Sequence, residues 1–274
     1  MIDATADFFS LTSAGPGRWI TEAGPEWKNP NGPLWGGYPI GLSLRTVMSE
    51  PEARGEPLSI SLTYVAGLRE GPVEIRTRCL RQGGSIGVWS LELAPAGADD
   101  VGVQAVVTMA QRPPTPPFAF AQMPEAPDPS AWPEPLSPGG RQHFGARTFE
   151  RRTLETFPIT PGGSSRSLAW VRPRRGGWDK ALLGMVADNS PPRAFYAFGH
   201  GVMTTTLSLS VYLHGSAAEI AEAGDDYLLV EYEGRVGGGG ASDERSSYWR
   251  RDGKLLATSE QLVWYRQIPR KVPE

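Results

Sequence analysis

The sequence predicts an α+β protein built from two similar halves. Three observations carry that reading: a proline-dense stretch near the middle of the chain, the same succession of one helix and four strands on either side of it, and no regular βαβα alternation, which disfavours doubly wound sheets and (β/α)8 barrels. With 274 residues the chain fits one large or two small domains, long enough to bury a core without disulfide staples.

In the first half, Gly36-Gly37 precede a helical pattern that ends near Val47-Met48, with Pro39 tolerated in its opening turn and Pro51 soon after it. Strand-like runs follow at 58–65, 73–80, 88–93 and 101–110, separated by Gly, Asp and Pro turn signals. The stretch that opens Pro113-Pro114-Thr115-Pro116-Pro117 can be neither helix nor central strand, because proline lacks the N–H and fixes φ. It is expected to be an extended, semi-rigid linker. The expected division is therefore 1–112, a linker 113–140, and 141–274. The second half starts with an additional strand-like run at 166–171. Gly176-Gly177 then precede a helix over 178–188 that Pro191-Pro192 stop, and strands are expected at 204–213, 227–236, 241–249 and 255–266.

Composition removes several function classes. The net charge of −3 argues against a dedicated nucleic-acid binder. The single cysteine, Cys79, excludes an intramolecular disulfide and cysteine-rich zinc sites, and reads as a small buried hydrophobe. The acidic opening Met1-Ile2-Asp3-Ala4-Thr5-Ala6-Asp7 lacks the features of a secretion signal, and no apolar run approaches the roughly 18 residues of a membrane helix. A cytoplasmic protein with no nucleic-acid or membrane partner is expected.

Most motif matches dissolve on inspection. Gly83-Gly84-Ser85-Ile86-Gly87 fits the G-x-S-x-G nucleophile elbow, but strand-like runs flank it on both sides where the elbow needs a following helix, so a hairpin turn is expected. Gly237-Gly238-Gly239-Gly240 lacks the Lys-Ser/Thr of a phosphate loop and reads as a second hairpin turn. His143, His200 and His214 show no metal-ligand spacing, and His200, between two glycines, is expected in a surface turn. No metal and no organic cofactor are expected. Arg172, Arg174 and Arg175 cluster ahead of the second helix, as a solvated run or as phosphate contacts.

Three polar residues stand out. Trp178, Ala181, Leu182, Met185 and Val186 form an apolar helical stripe, and Asp188 continues that face, where a carboxylate is either desolvated or simply exposed at the helix end. Gln261 shares a strand face with Leu255, Ala257, Val263 and Tyr265, and a buried amide left unpaired costs about 1–3 kcal/mol. Thr206 opens a strand whose Leu207, Leu209, Val211 and Leu213 mark the opposite face, so alternation alone puts Thr206 on the side away from the core.

Taken together these residues resemble the acyl-CoA thioesterase II family, over most of the chain. The resemblance is strongest at Leu182-Leu183-Gly184-Met185-Val186-Ala187-Asp188, Thr206 and Leu255-Leu256-Ala257-Thr258-Ser259-Glu260-Gln261, with Trp35-Gly36-Gly37-Tyr38 and Arg81-Gln82-Gly83-Gly84-Ser85 in the first half. The family implies a tandem (double) hotdog, each half a long helix wrapped by an antiparallel sheet. It implies a hydrolytic site of an Asp ending the second helix, a Thr opening the next long strand and a Gln in the last strand. Asp188, Thr206 and Gln261 match in type and order. Ser208-Leu209 and His214-Gly215 depart from family patterns, which bears on substrate preference.

The resemblance implies hydrolysis of acyl-CoA. Asp188 acts on a water held by Thr206 and Gln261, Gly36 and Gly37 N–H groups face the thioester carbonyl, and Arg172, Arg174 and Arg175 are candidates for the CoA phosphates. Further homo-oligomeric pairing of hotdog chains is part of the same expectation. The rivals are a non-catalytic acyl-CoA or lipid-binding hotdog protein and a hotdog hydratase, which needs an Asp-His pair. Aligning the halves on Gly37 with Gly177, Ser61 with Ser208 and Ala105 with Ala257 sets Met48, Ser59 and Met109 opposite Asp188, Thr206 and Gln261. One site per chain, carried mainly by the second half, is expected.

Overall fold

The computed structural model describes residues 8–29, 32–135, 147–156, 158–199 and 201–268. His143 and His200 lie outside the described residues. The first half runs β1 (Thr12–Gly15), β2 (Arg18–Ala23), α1 (Gly37–Met48), β3 (Glu56–Tyr64), β4 (Gly71–Gln82), β5 (Ile86–Pro95) and β6 (Val103–Ala110). The second runs β7 (Phe149–Arg152), β8 (Ser167–Pro173), α2 (Lys180–Met185), α3 (Ala194–Phe198), β9 (Val202–Leu213), α4 (Ala217–Ala221), β10 (Leu228–Glu233), β11 (Gly237–Gly238), β12 (Ala241–Trp249) and β13 (Leu255–Gln267). The strands form one antiparallel sheet in the order β1-β2-β4-β5-β6-β3-β9-β13-β12-β10-β8-β7, with β11 added to β12. Its inner faces and the two central helices share one core, in which Leu42, Leu44, Ile75, Leu91, Leu182 and Leu228 are fully buried. This is the double hotdog.

Glycine lets the helices meet. A Cβ on Gly41 would stand 2.4 Å from the Met185 side chain, and one on Gly184 would stand 2.5 Å from Leu44. The second helix is shorter than its apolar stripe suggests. Asp179 caps it, its Oδ1 accepting the Leu182 N–H at 2.8 Å, and a 3-10 turn, Val186–Asp188, finishes it. Both glycine motifs are hairpin turns: the Gly83 N–H donates to Ile86 O, and Gly239 and Gly240 turn β11 into β12 at positive φ. Cys79 is half-buried against the core.

Four short strands escaped the sequence pattern: β1, exposed throughout, and β7 form the two ends of the sheet, β2 beside β1 buries only Thr21 and Ala23, and β11 has two residues. The proline-rich stretch is extended, yet it is no free spacer. Met123, Ala126 and Trp132 pack on Trp170, Tyr227, Leu229 and Trp249 on the outer face of the second half, and Trp170 Nε1 donates to Pro127 O at 2.8 Å.

The halves join where β3 pairs with β9, and Ser61 and Ser210 face each other there with hydroxyls 2.9 Å apart. A two-fold rotation about that pair carries Ser61 onto Ser210 and hence Pro57 onto Thr206. Through the neighbouring ladders it carries Val107 onto Gln261 and Trp89 onto Glu244. The strand mates suggested by sequence, Ser59 and Met109, are thus two residues off, because small-polar alternation repeats every second residue and cannot fix register.

Candidate active site

Asp188 sits where the two halves meet at the mouth of α1. Trp35 Nε1 donates to its main-chain oxygen at 2.8 Å, and the Gly36 and Gly37 N–H groups donate to its carboxylate. Glycine is required at this approach, since a Cβ on Gly36 would lie 2.8 Å from Asp188 Oδ2. Burial, and then the charge of Glu244, push the Asp188 carboxyl up to about 7 against the pull of the two N–H groups. Tyr64 closes the other side: its hydroxyl donates to Gly36 O at 2.7 Å, and burial with the Asp188 charge pushes its own pKa well above the usual tyrosine range.

Thr206 does not follow the alternation of its strand. In the β9–β13 ladder Leu209 pairs with Gln261 and Ser208 with Leu262, but Val263 pairs with Thr206, leaving Leu207 unpaired in a β-bulge. The bulge flips the parity, so Leu207 turns outward and Thr206 joins Gln261 and Val263 on the inner face. The Thr206 hydroxyl donates toward Gln261 Oε1 at 3.4 Å. Of the apolar companions of Gln261, Leu255 is displaced to the outer cluster by a second register shift.

Glu244 was not foreseen. It lies on β12 directly opposite Gln261, 3% exposed, and its Oε2 accepts Gln261 Nε2–H at 2.8 Å and the Ser190 hydroxyl at 3.3 Å. Its Oε1 accepts the Arg193 main-chain N–H at 2.7 Å. Burial raises its pKa above the usual carboxylate range, opposed by Arg193 and these donors. The strand offered a signal: Ser242, Glu244, Ser246 and Tyr248 alternate onto the inner face. Thr206, Gln261, Glu244 and Ser190 thus form one hydrogen-bonded chain, and Asp188, beside the start of α1, lies within reach of the Glu244 charge.

The family is decided by the whole chain. The acyl-CoA thioesterase N-terminal domain matches residues 24–110, and the acyl-CoA thioesterase C-terminal domain matches residues 120–265. The chain belongs to the acyl-CoA thioesterase family. No curated protein matches it by sequence. Among solved structures it is similar to a conserved hot dog protein of unknown function from Alicyclobacillus acidocaldarius, at 24% identity, TM-score 0.87, covering 99% of this chain and 98% of that one. It is also similar to the tesB protein of Mycobacterium avium subs paratuberculosis, at 21% identity, TM-score 0.74, with 94% and 96% covered. A third likeness is to the acyl-CoA thioesterase II TesB2 of Mycobacterium marinum, at 18% identity, TM-score 0.71, with 95% and 97% covered.

In this thioesterase-family chain the arginine cluster stands apart from the polar group. Arg172 pairs with Glu150, at 2.8 Å from Nε and 2.7 Å from Nη2, and lies over the Tyr227 ring at 4.7 Å. Arg174 pairs with Glu134, and Arg175 is exposed. Arg172 is five residues along β8 from Ser167, which pairs toward the Glu244 end of the sheet, so roughly 17 Å separate the two ends. A cavity of about 370 Å³ lies beyond Arg193, lined by Arg193, Tyr196, Phe198, Ser242 and Tyr265 among others and by none of Asp188, Thr206, Gln261 and Glu244. Among the described residues no cluster of His, Cys, Asp and Glu is arranged to hold a metal, and no helix is long and apolar enough to cross a membrane.

Proposed function

We propose that the chain hydrolyses acyl-CoA thioesters to free fatty acid and CoA by direct attack of water, with no covalent intermediate. The observation that carries this reading is the chain of Thr206, Gln261 and Glu244, whose charge reaches Asp188, in the half whose β-bulge carries Thr206 inward where the same bulge of the first half carries Pro57. A water placed there donates one proton to Asp188 and the other to Gln261 Oε1 while accepting from Thr206. Asp188, pushed up to about 7, is matched to taking a proton from water near neutrality. The water oxygen attacks the thioester carbon as its proton passes to Asp188. The C–S bond then breaks, and the CoA thiolate leaves and takes the proton. The Gly36 and Gly37 N–H groups at the start of α1 hold the Asp188 carboxylate, and they turn to the developing oxyanion once that carboxylate has taken the proton. The cavity past Arg193, with Tyr196, Phe198 and Tyr265 on its walls, gives room for part of the substrate.

The test is thiol release from acyl-CoAs of short to long chain, with wild type and Asp188→Asn. Release that depends on chain length and collapses in the variant supports the reading. Saturable acyl-CoA binding without thiol release would replace it with a non-catalytic binding protein.

A further inference from the structure

Glu244 takes no part in the proposed proton transfer, and the fold does not need an acid at its position. The two-fold that relates the halves sets Trp89 there, buried at 3% exposure, so an apolar side chain satisfies the same place in the same sheet. Val107 and Pro57, both buried, likewise occupy the places of Gln261 and Thr206. An ionisable group buried at such a position costs stability unless its lone pairs are met. Here they are met by donors that belong to the site rather than by an ion pair. The Arg193 guanidinium turns away, its N–H groups donating to Pro191 O, Ser165 O and Ser167 Oγ while it stacks over Tyr196 at 4.3 Å. Only its main-chain N–H reaches Glu244.

The primary amide of Gln261 can point either way unless a neighbour fixes it, since its oxygen and nitrogen are alike in shape. Thr206 settles nothing by itself, because a hydroxyl donates or accepts. An ionised carboxylate accepts only, so Glu244 demands the Nε2–H of Gln261 and turns Oε1 toward Thr206.

We infer that Glu244 is a positioning residue for the hydrolysis proposed above, on which this inference rests: it fixes the Gln261 amide with its oxygen toward the attacking water, and its charge strengthens Asp188 as the base. The groups that face Asp188 are Glu244 and Tyr248 on β12, Tyr64 on β3 and the Gly36 and Gly37 N–H groups of α1. Those that face Glu244 are Arg193, Ser190, Gln261 and Asp188, with Glu155 3.8 Å behind the Arg193 guanidinium. Among the described residues Glu244 is the carboxylate that faces Asp188, and removing its charge lowers the pH at which Asp188 ionises.

The experiment compares kcat, KM and full pH profiles of wild type, Asp188→Asn, Glu244→Gln and Glu244→Met, with circular dichroism of each. The expected result is that both Glu244 variants fold, that kcat falls about 10- to 100-fold with KM within about threefold, and that the acidic limb of the Glu244→Gln profile moves to lower pH. A folded Glu244→Gln with wild-type kcat and an unmoved acidic limb, beside an inactive Asp188→Asn, overturns the role of Glu244 and leaves the hydrolase reading standing. Loss of fold in both Glu244 variants makes the residue structural and also overturns it. A wild type that releases no thiol sinks the hydrolase reading and this inference together, and an Asp188→Asn variant as active as wild type removes Asp188 as the base and this inference with it.

Discussion

Trp35 donates its indole N–H to the main-chain oxygen of Asp188 across 2.8 Å, so the segment that opens the helix of one half holds the residue that ends the helix of the other. The site is therefore a property of the paired halves: Trp35, Gly36, Gly37 and Tyr64 come from the first, Asp188, Thr206, Glu244 and Gln261 from the second. Trp35→Phe keeps an aromatic ring near Trp27 and Phe149 but removes this hydrogen bond. The expected cost is about 1 kcal/mol of stability, with a fall in kcat that exceeds any change in KM. Steady-state kinetics and a denaturant melt check it; an unchanged kcat would show that the carboxylate is held in place without the indole.

Asp188→Asn should do more than stop hydrolysis. The acid ionises at about 7 in the folded chain and near about 4 when unfolded. Between those values the folded state binds the extra proton, so the stability that the protonated acid contributes is complete below about pH 4 and is lost as pH rises through 7. Asparagine has no such loss. The variant is expected to melt above wild type at pH 8, by about 1–3 kcal/mol, with the gap closing by pH 4.5. Calorimetry at the two pH values decides; a gap independent of pH would mean that burial does not govern this carboxyl. The same ionisation should give wild-type kcat an acidic limb centred near 7.

Gly36→Ala isolates the close approach. The backbone there is ordinary helical, at φ −65° and ψ −20°, so alanine introduces no backbone strain. Its Cβ would instead stand 2.8 Å from Asp188 Oδ2 and 3.2 Å from the Tyr64 hydroxyl. The carboxylate must move, and a displacement of about 1 Å costs up to about 100-fold in rate. A kcat reduced at least 10-fold, with a destabilisation of about 1–3 kcal/mol, is the expected outcome. Wild-type kcat would place the reacting carboxylate elsewhere.

The sequence carried the site unevenly, for reasons that lie in periodicity. Asp188 was legible because a helical stripe from Trp178 to Val186 points at it, although capping by Asp179 and the final 3-10 turn shortened the helix itself. Thr206 was legible only by resemblance. Strand alternation gave it the wrong face, since one unpaired residue, Leu207, reverses every side chain before it. Glu244 was hidden in the polar run from Ser242 to Ser247, where inward and outward residues look alike until Tyr248 fixes the parity. The arginines show the reverse limit: a basic cluster shows charge in sequence, but not Glu150 and Glu134, which come from distant segments to pair with Arg172 and Arg174.

That last point has a direct consequence for Arg172. Glu150 is buried, which alone would raise its pKa, yet the Tyr227 hydroxyl, Arg172 and Arg152 bring it down to about 2. A carboxyl held below its unfolded value contributes stability above about pH 4.3 that is lost as pH falls toward 2. Arg172→Gln removes one of the two cations that hold it there. Because the Arg172 side chain is 40% exposed, solvent screens the pair and the expected loss at pH 7 is only about 1 kcal/mol, shrinking as pH approaches 2. If Arg172 is committed to Glu150, the KM for acyl-CoA stays within about twofold of wild type, whereas loss of a charge-assisted phosphate contact worth about 1.5–3 kcal/mol would raise it 10-fold or more. Melting curves and KM measured on the same variant separate the two roles: a stable protein with a raised KM would return Arg172 to the CoA phosphates.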